Sequence, residues 1–149
     1  MAAAADRRNM SEDCIFCQIV AEEMPSHTVY EDETARAFLD VNPLARGHTV
    51  VIPTDHYERV GDMPADVAGG FFQAINEITP AIEAAVDAPA TTVAINNGTV
   101  AGQEVPHVHC HVVPRFEGDG AGAIHAMFRG ADVSDDEMSD LVADIREHR

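Results

Sequence analysis

Three histidines alternate between His107 and His111, within the sequence PHVHCHVVPR. Side chains on a β-strand point to opposite faces with a period of two, so His107, His109 and His111 are predicted to share one face. The intervening Val108 and Cys110 then point to the other face and pack on a core. Three imidazoles about 7 Å apart along a strand are a poor choice for an apolar core. Their pattern therefore indicates a functional site.

A row of imidazoles suits two different chemistries. A His-x-His pair on a strand can hold zinc when a further ligand comes from elsewhere in the chain. Alternatively, a neutral imidazole can attack a phosphorus atom while its neighbours hold the phosphate oxygens. The spacing of the three histidines does not choose between these two chemistries.

The chain also has three cysteines, of which Cys14 and Cys17 form a Cys-x-x-Cys pair. The odd number and the close spacing favour metal binding or redox use over structural disulfides. Such a pair is half of a zinc site, whereas a redox pair is expected in a βαβ setting, which this N-terminal segment lacks. Cys110 faces the core in the predicted register and is expected to be inert.

The segment HVHCHVV at 107–113 fits the His-φ-His-φ-His-φ-φ signature, in which φ is an apolar residue. Further segments match in the same order, namely CIFCQIV at 14–20, VYEDE at 29–33, AFLD at 37–40, GHTVVIP at 47–53, INNG at 95–98 and AGQ at 101–103. Over about residues 13–128 the chain therefore resembles the histidine triad (HIT) family, and in particular its nucleoside-phosphoramidase-like (Hint) branch.

The resemblance implies a hydrolase or transferase that acts on conjugates of purine nucleoside monophosphates. Such substrates are AMP phosphoramidates, adenylylated lysines and dinucleoside polyphosphates. His109 would form a covalent nucleotidyl-histidine, His111 would hold the α-phosphate, and the backbone carbonyl of His107 would accept a hydrogen bond from the ring of His109. No divalent ion would be required for the chemical step. Two alternatives stay open: a zinc-stabilised nucleotide-binding or signalling module with incidental turnover, and a triad that itself holds a catalytic zinc ion.

The same resemblance assigns a nucleotide pocket. Asp40 would bind the ribose, for which a carboxylate is suited because it accepts from both hydroxyls. Asn96 and Gln103 match polar positions near the phosphate and leaving group, and Gly102 permits close backbone approach. Glu104 replaces the Ser or Thr common at its position, and an ionised carboxylate cannot donate to phosphate. The base pocket, whose apolar residues would also suit a plain core, would comprise Ile15, Phe16, Ile19, Phe38, Leu39 and Val41.

The resemblance also completes the metal site. In zinc-bearing members of the family, the two thiolates are joined by a histidine after an Ile-Pro-x-x-His segment and by the first triad histidine. Here these ligands are His56 and His107, alongside Cys14 and Cys17. A closed Cys₂His₂ zinc site of this kind stabilises a fold directly, and it would tether the first helix to the sheet.

Hydrophobic periodicity predicts the elements that position these residues. A short helix is expected over 14–22, and strands over 27–31, 35–40, 48–53, 91–96 and 105–115. Asp62 is predicted to cap a long helix that runs to about Asp87 and that Pro80 kinks or interrupts. Ser134 is predicted to cap an acidic C-terminal helix that ends near Arg146. These elements predict an α+β fold, with a mainly antiparallel five-stranded sheet, one long helix and shorter N- and C-terminal helices.

Composition limits the partners. The 149 residues include 26 acids and nine bases, all arginine, for a formal net charge of −17. This charge disfavours binding to nucleic acid and indicates a salt-adapted cytoplasm, because the Debye length is only about 3 Å at molar salt. No apolar run approaches the roughly 20 residues of a membrane span, and the opening segment lacks the apolar stretch of a secretory signal.

We therefore expect a cytoplasmic protein with one domain. The first 12 residues are expected to form a disordered lead-in, and residues 13–149 a single domain that ends in the acidic helix. The family resemblance implies a homodimer that joins two sheets through the long helix and an edge strand. The apolar stripe of the long helix is the sequence feature that fits this expectation.

Overall fold

The computed structural model of the protein describes residues 13–149, so the lead-in predicted over residues 1–12 lies outside the described residues. The chain divides into two compact units, one that ends at Asp119 and one that covers Gly120–Arg149. The prediction of a single domain over 13–149 stays a prediction.

The first unit contains the sheet. Its elements, in chain order, are α1 (Ile15–Val20), β1 (Thr28–Glu31), β2 (Ala35–Leu39), β3 (Thr49–Pro53), α2 (Ala65–Val86), β4 (Ala90–Ala94) and β5 (Cys110–Arg115). The strands form one sheet in the order β1-β2-β3-β5-β4, and every neighbouring pair is antiparallel. The predicted five-stranded antiparallel sheet is confirmed.

The two faces of the sheet bury different helices. On one face, the apolar stripe of α2 packs against alternate residues of β2, β3 and β5, in a cluster that includes Phe71, Ile75, Ile78, Ala37, Val51 and Val112. On the other face, Ile19 of α1 is buried with Phe38, Val50 and Ile52. The period of two along each strand therefore decides which residues face α1 and which face α2.

The long helix differs from its prediction at its start and at Pro80. α2 begins at Ala65 with Pro64 as its N-cap, whereas Asp62 ends a separate 3₁₀ turn and accepts the N–H of Arg59. Asp62 is therefore not the cap of the long helix, because its carboxylate serves the preceding turn. α2 also continues without interruption through Pro80, which is exposed. Its outward position leaves the carbonyl that lost its partner facing water, while the buried stripe holds both halves on the sheet.

The last strand begins later than predicted. Residues 105–109 are not part of the ladder, and β5 starts at Cys110. Their backbone groups bond elsewhere: the N–H of His107 donates to the carbonyl of Val105 at 2.8 Å, and the N–H of Val108 donates to the carbonyl of Tyr57 at 2.7 Å. The prediction of a strand over 105–115 is therefore wrong for its first half, in which Pro106 has no N–H to offer a ladder.

The second unit contains a 3₁₀ turn (Ile124–Met127) and α3 (Asp135–Glu147). The hydroxyl of Ser134 accepts the N–H of Glu137 at 3.2 Å, which confirms Ser134 as the predicted cap. Three acids occupy the first turn of α3 and Arg146 the last. Both placements complement the partial charges of the helix ends.

Candidate active site and metal cluster

The three histidines lie on one side of the chain, as the alternation predicts, although only His111 belongs to a strand. Val108 and Cys110 are buried in the core under α2. His107 is fully buried and His109 is 7% exposed, while His111 is partly buried. The rings of His109 and His111 lie in edge contact, with centroids 5.0 Å apart. The rings of His107 and His109 are therefore buried, and a backbone carbonyl lies within hydrogen-bond distance of one nitrogen of each ring.

The ring of His109 has a defined proton. Its Nδ1 lies 2.8 Å from the backbone carbonyl oxygen of His107, and a carbonyl oxygen can only accept. Nδ1 therefore carries the hydrogen, and Nε2 of the neutral ring carries a free lone pair. The ring of Phe16 packs against His109 edge-on, with centroids 5.0 Å apart, and restricts how the imidazole can turn.

His111 belongs to a second polar chain, which runs from Leu44 through His48. The N–H of Leu44 donates to Nδ1 of His48 at 3.0 Å, so a neutral His48 carries its hydrogen on Nε2. That nitrogen lies 3.0 Å from Nδ1 of His111 and 3.7 Å from a carboxylate oxygen of Asp40. The Nδ1 of His111 therefore accepts, and its own hydrogen is placed on Nε2.

Burial keeps this pair of histidines neutral. Burial lowers the pKa of His48, against the opposing effect of the Asp40 carboxylate. Burial also lowers the pKa of His111, and the neighbouring His109 and His48 lower it further. Neutral rings are the forms that the donor and acceptor assignments require.

The sequence pattern predicts for His48 only a place at the start of a strand. Its role in the site depends on two contacts from distant parts of the chain, to Asp40 after β2 and to His111 in β5. The alternation of β3 was an available signal, because it places His48 on the same face as Val50 and Ile52. That is the face on which His111 lies.

Cys14, Cys17, His56 and His107 form a second cluster beside the first. Their four ligand atoms all lie within 4.8 Å of one another. Nδ1 of His107 is 3.4 Å from Sγ of Cys14, 3.6 Å from Sγ of Cys17 and 3.2 Å from Nδ1 of His56. Sγ of Cys17 is 3.3 Å from Nδ1 of His56. The four residues named from the sequence are therefore brought together.

These separations fit a tetrahedral zinc ion. Ligands about 2.3 Å (sulfur) and about 2.05 Å (nitrogen) from zinc are separated by about 3.6 Å for a sulfur–nitrogen edge and about 3.3 Å for a nitrogen–nitrogen edge. His107 also has the tautomer of a ligand, because its Nε2 donates to the carbonyl of Pro53 at 2.9 Å and leaves Nδ1 unprotonated. Burial lowers the pKa of His107 to about 4, so the ring is neutral, as metal binding requires.

Among residues 13–149, a second grouping of possible ligands consists of Asp40, His48 and His111, and a metal ion is disfavoured there. A metal on Nε2 of His48 would force the ring hydrogen onto Nδ1. That atom already accepts the N–H of Leu44, and it cannot carry a hydrogen and accept one in the same place. The 3.0 Å separation from His111 is therefore that of a hydrogen bond.

The structure divides the predicted base-pocket residues. Phe16, Ile19 and Phe38 lie together on the α1 face, where the rings of Phe16 and Phe38 are 5.7 Å apart. Leu39 follows Phe38 in β2 and so points to the opposite face of the strand. Leu39, Ile15 and Val41 are all exposed.

The loop before the triad is held by the side chain of Gln103. Its Oε1 accepts the N–H of Gly98, and its Nε2 donates to the carbonyls of Glu58 and Val105. Both amide hydrogens are therefore used inside the protein, and so is the backbone N–H of Gln103, which donates to the carbonyl of Gly98 at 3.2 Å. The predicted contact of Gln103 with a phosphate stays a prediction. Gly102 has a φ of 101°, which favours glycine.

The remaining predicted positions near this loop are Asn96 and Glu104. Asn96 is half-buried, and Glu104 is exposed. A Cβ atom added at Gly102 would lie 3.8 Å from the side-chain amide nitrogen of Asn96, so Gly102 and Asn96 are neighbours. Glu104 follows the buried Gln103 in the chain and precedes the turn that leads to His107.

Comparison with known proteins decides the family. The HIT domain family matches residues 21–118. The protein belongs to the histidine triad (HIT) family. A HIT-like protein of Methanocaldococcus jannaschii is 47% identical to this HIT protein over 107 residues, which are 72% of this chain and 82% of the relative.

Two further relatives carry names that describe an activity. Adenylylsulfatase HINT3 of Arabidopsis thaliana is 35% identical over 139 residues, or 93% of this chain and 71% of that protein. Adenosine 5′-monophosphoramidase HNT1 of Saccharomyces cerevisiae is 37% identical over 102 residues, or 68% and 62%. Both names describe hydrolysis of adenylyl conjugates.

Solved structures confirm the HIT fold. A HIT family protein of Bacillus subtilis aligns with a TM-score of 0.84 and 37% identity, over 93% of this chain and 98% of that one. A zinc-bound histidine triad protein of Mycobacterium smegmatis aligns with a TM-score of 0.69 and 34% identity, over 92% and 98%. Among the described helices of this HIT protein, none is both long and apolar enough to span a bilayer.

Proposed function

We propose that this HIT protein hydrolyses conjugates of AMP-like purine nucleotides through a covalent intermediate on His109. The observation that carries the proposal is the 2.8 Å bond from Nδ1 of His109 to the carbonyl of His107. It leaves the Nε2 lone pair available for attack on phosphorus, which is the state that a nucleophilic imidazole needs. The names of the adenylylsulfatase and monophosphoramidase relatives support a nucleoside monophosphate as the transferred group.

The reaction proceeds in two displacements. Nε2 of His109 forms a bond to the α-phosphorus, and the bond from phosphorus to the leaving group breaks, so that the leaving group departs with the electron pair and takes up a proton. Water then attacks the phosphorus of the nucleotidyl-histidine and loses a proton. The phosphorus–nitrogen bond breaks, and AMP and neutral His109 are regenerated.

His111 is proposed to stabilise charge on the phosphate. Its Nε2–H is placed by the chain through His48, and a fixed donor aimed at developing negative charge is an effective way to lower a barrier. Asp40, half-buried beside His48, is proposed to accept hydrogen bonds from the ribose hydroxyls. Phe16, Ile19 and Phe38 are proposed to contact the base. The more exposed Ile15 and Val41 would border that pocket.

The metal cluster is proposed to bind one structural zinc ion. Cys14, Cys17, His56 and His107 would hold the ion, and its chemistry there is to join α1 to the triad loop. All four ligand positions are taken by protein, as in closed structural sites. The nucleophile, His109, lies outside the ligand set.

The test is to trap the intermediate. Full-length protein is mixed with AMP phosphoramidate labelled in the phosphate, quenched in alkali within one turnover, and examined for label on the polypeptide. Label is expected on the wild type and on His27→Ala, a control that removes an exposed imidazole. No label is expected on His109→Ala. Tight AMP binding without label or turnover would instead support a nucleotide-binding module. Turnover that a chelator abolishes while the fold survives would support a metal enzyme.

A further inference from the structure

Helix α1 contributes to both sites at once. Its N-cap is Cys14 and its first turn contains Cys17, which are two of the four cluster residues. Between them lies Phe16, whose ring contacts His107 and His109 with centroid distances of 5.8 and 5.0 Å. One turn of helix therefore carries the thiols on one side and a wall of the nucleotide site on the other.

α1 depends on outside anchors for its position. It has six residues, and an isolated helix shorter than roughly 12 residues is marginal in water. At its C-terminal end the guanidinium of Arg36 donates to the carbonyl of Ile19 at 2.6 Å, and Ile19 itself is buried on the sheet. At its N-terminal end the anchor is the Cys14 and Cys17 cluster.

The cluster also reaches the nucleophile through His107. The side chain of His107 lies within the cluster, while its backbone carbonyl accepts the Nδ1–H of His109. A displacement of the thiols can therefore change the position of His109 in two ways. One is through the ring of Phe16, and the other is through the backbone carbonyl of His107.

We propose that Cys14 and Cys17 are a redox-sensitive pair, whose oxidation to a disulfide releases the metal and weakens the nucleotide site. This inference rests on the proposed function and adds a regulation of the same site. Their Sγ atoms lie within 4.8 Å of each other, so a bond between them needs only a local shift. In a disulfide neither sulfur is a thiolate ligand, and two imidazoles alone hold zinc poorly.

The oxidant is a hydroperoxide. One thiolate attacks an oxygen of hydrogen peroxide, the O–O bond breaks, and hydroxide leaves, so that this sulfur becomes a sulfenic acid. The second thiolate attacks that sulfur, the S–O bond breaks, and hydroxide leaves as the S–S bond forms. The two hydroxide ions take two protons from the buffer and become two molecules of water. Zinc leaves as the divalent ion. A dithiol reductant with added zinc reverses the change.

Cys110 provides an internal control. It is fully buried in the core under α2, and burial raises its pKa to about 11. A thiol that stays protonated reacts slowly with peroxide. Cys14 and Cys17 are also buried, with exposures of 3% and 2%, so the difference lies in their neighbours: their sulfurs lie side by side in the cluster, which does not include Cys110. Oxidation to a disulfide is therefore expected at the Cys14 and Cys17 pair.

The experiment uses the full zinc-loaded chain, treated with hydrogen peroxide and then freed of it. Released zinc is measured with a chromogenic chelator, the disulfide by peptide mapping, and AMP affinity by calorimetry. We expect loss of zinc, a Cys14–Cys17 link, an intact Cys110, and AMP binding weaker by about tenfold to a hundredfold, the range for partners that orient a site. Dithiol and zinc should restore affinity, and Cys110→Ala should respond as wild type does.

The outcomes separate the two proposals. If the reduced, zinc-loaded protein neither binds AMP nor becomes labelled, the proposed function fails. If it binds AMP, and the oxidised protein retains its zinc or binds AMP with unchanged affinity, the redox inference is overturned while the proposed function stands. A peroxide product that links or oxidises Cys110 in preference to the pair also overturns it.

Discussion

The carbonyl oxygen of His107 accepts the Nδ1–H of His109 at 2.8 Å, while the ring of the same His107 lies among the thiols of Cys14 and Cys17. The backbone and the side chain of one residue therefore belong to different sites. Because the hydrogen bond uses the backbone, the orientation of His109 is independent of the chemical identity of side chain 107. It does depend on where the cluster holds that segment.

His48 is the first residue to test beyond the triad. His48→Leu removes the Nε2–H that points at Nδ1 of His111, so His111 no longer has a fixed tautomer. We expect kcat to fall by about tenfold to a hundredfold, as for other partners that orient a functional imidazole, with a smaller change in KM. His48→Gln keeps an N–H in the side chain and should retain more activity. The measurement is steady-state kinetics on an AMP phosphoramidate, with His27→Gln as the control. An unchanged kcat in His48→Leu would refute the relay, by which we mean the hydrogen bonds from Leu44 through His48 to His111.

The same burial predicts a pH-dependent stability. Burial lowers the pKa of His48 and of His111 below the ordinary value of 6.5. Below pH 6.5 the unfolded chain therefore binds protons that the folded protein excludes, so the free energy of unfolding falls as the pH falls. Urea unfolding between pH 8 and pH 5 at constant salt measures this slope. His48→Gln should make the slope shallower, while His111 and His107, whose pKa burial lowers to about 4, account for the slope that remains. His27→Gln should leave the slope unchanged, and equal slopes in all three proteins would contradict the prediction.

Much of the site could be predicted from local pattern. The alternation in HVHCHVV decides which residues face the core, and it holds even where residues 107–109 leave the ladder, because Val108 and Cys110 are still drawn into the core. The Cys-x-x-Cys pair and the two histidines assigned by resemblance come together as expected. Strict alternation along β2 also puts Leu39 on the face opposite to its neighbours Phe38 and Asp40, so the contact of Leu39 with the base stays a prediction.

Features that depend on distant contacts could not be predicted in the same way. The relay through His48 exists because β2, which ends just before Asp40, and the start of β5, which contains His111, flank β3. The late start of β5 depends on Tyr57, whose carbonyl accepts the N–H of Val108. Pro80 is accommodated because its position in α2 faces outward, which is decided by the packing of the opposite face.

Metal content gives a direct test of the cluster. We expect about one zinc per chain in freshly purified protein, and a lower Tm after chelation, because a ligand that binds only the folded state stabilises it. Cys17→Ser should contain less zinc and should have a lower Tm than the wild type. Cys110→Ala should lose some stability through its cavity and keep its zinc. The absence of zinc from freshly purified protein would refute the assignment of a zinc site. A Tm that a strong chelator leaves unchanged would also refute it.

Gln103 should matter to stability more than an exposed loop residue does. In Gln103→Glu the two N–H groups that serve the carbonyls of Glu58 and Val105 are replaced by an oxygen that repels them. A buried acceptor without a donor costs about 1–3 kcal/mol, and more when charged, so we expect at least about 2 kcal/mol of destabilisation in chemical unfolding. Glu104→Gln, at the exposed neighbouring position, is the matched control and should change stability little. A loss below about 0.5 kcal/mol in Gln103→Glu, the usual range for surface changes, would show that the amide does not hold the loop.

Glu104 is expected to select among leaving groups. The family resemblance implies that its carboxylate lies near the departing atom, where it would disfavour an anionic leaving group relative to an amine. Unit charges 4 Å apart interact by about 1 kcal/mol in water, so Glu104→Ser should raise kcat/KM for adenylylsulfate relative to an AMP phosphoramidate by roughly fivefold at low salt. Molar salt shortens the Debye length to about 3 Å and should shrink that difference. If Glu104→Ser leaves the ratio of the two kcat/KM values unchanged at low salt, Glu104 lies away from the leaving group. If the substitution changes that ratio equally at all salt concentrations, the size of the side chain and not its charge decides the preference.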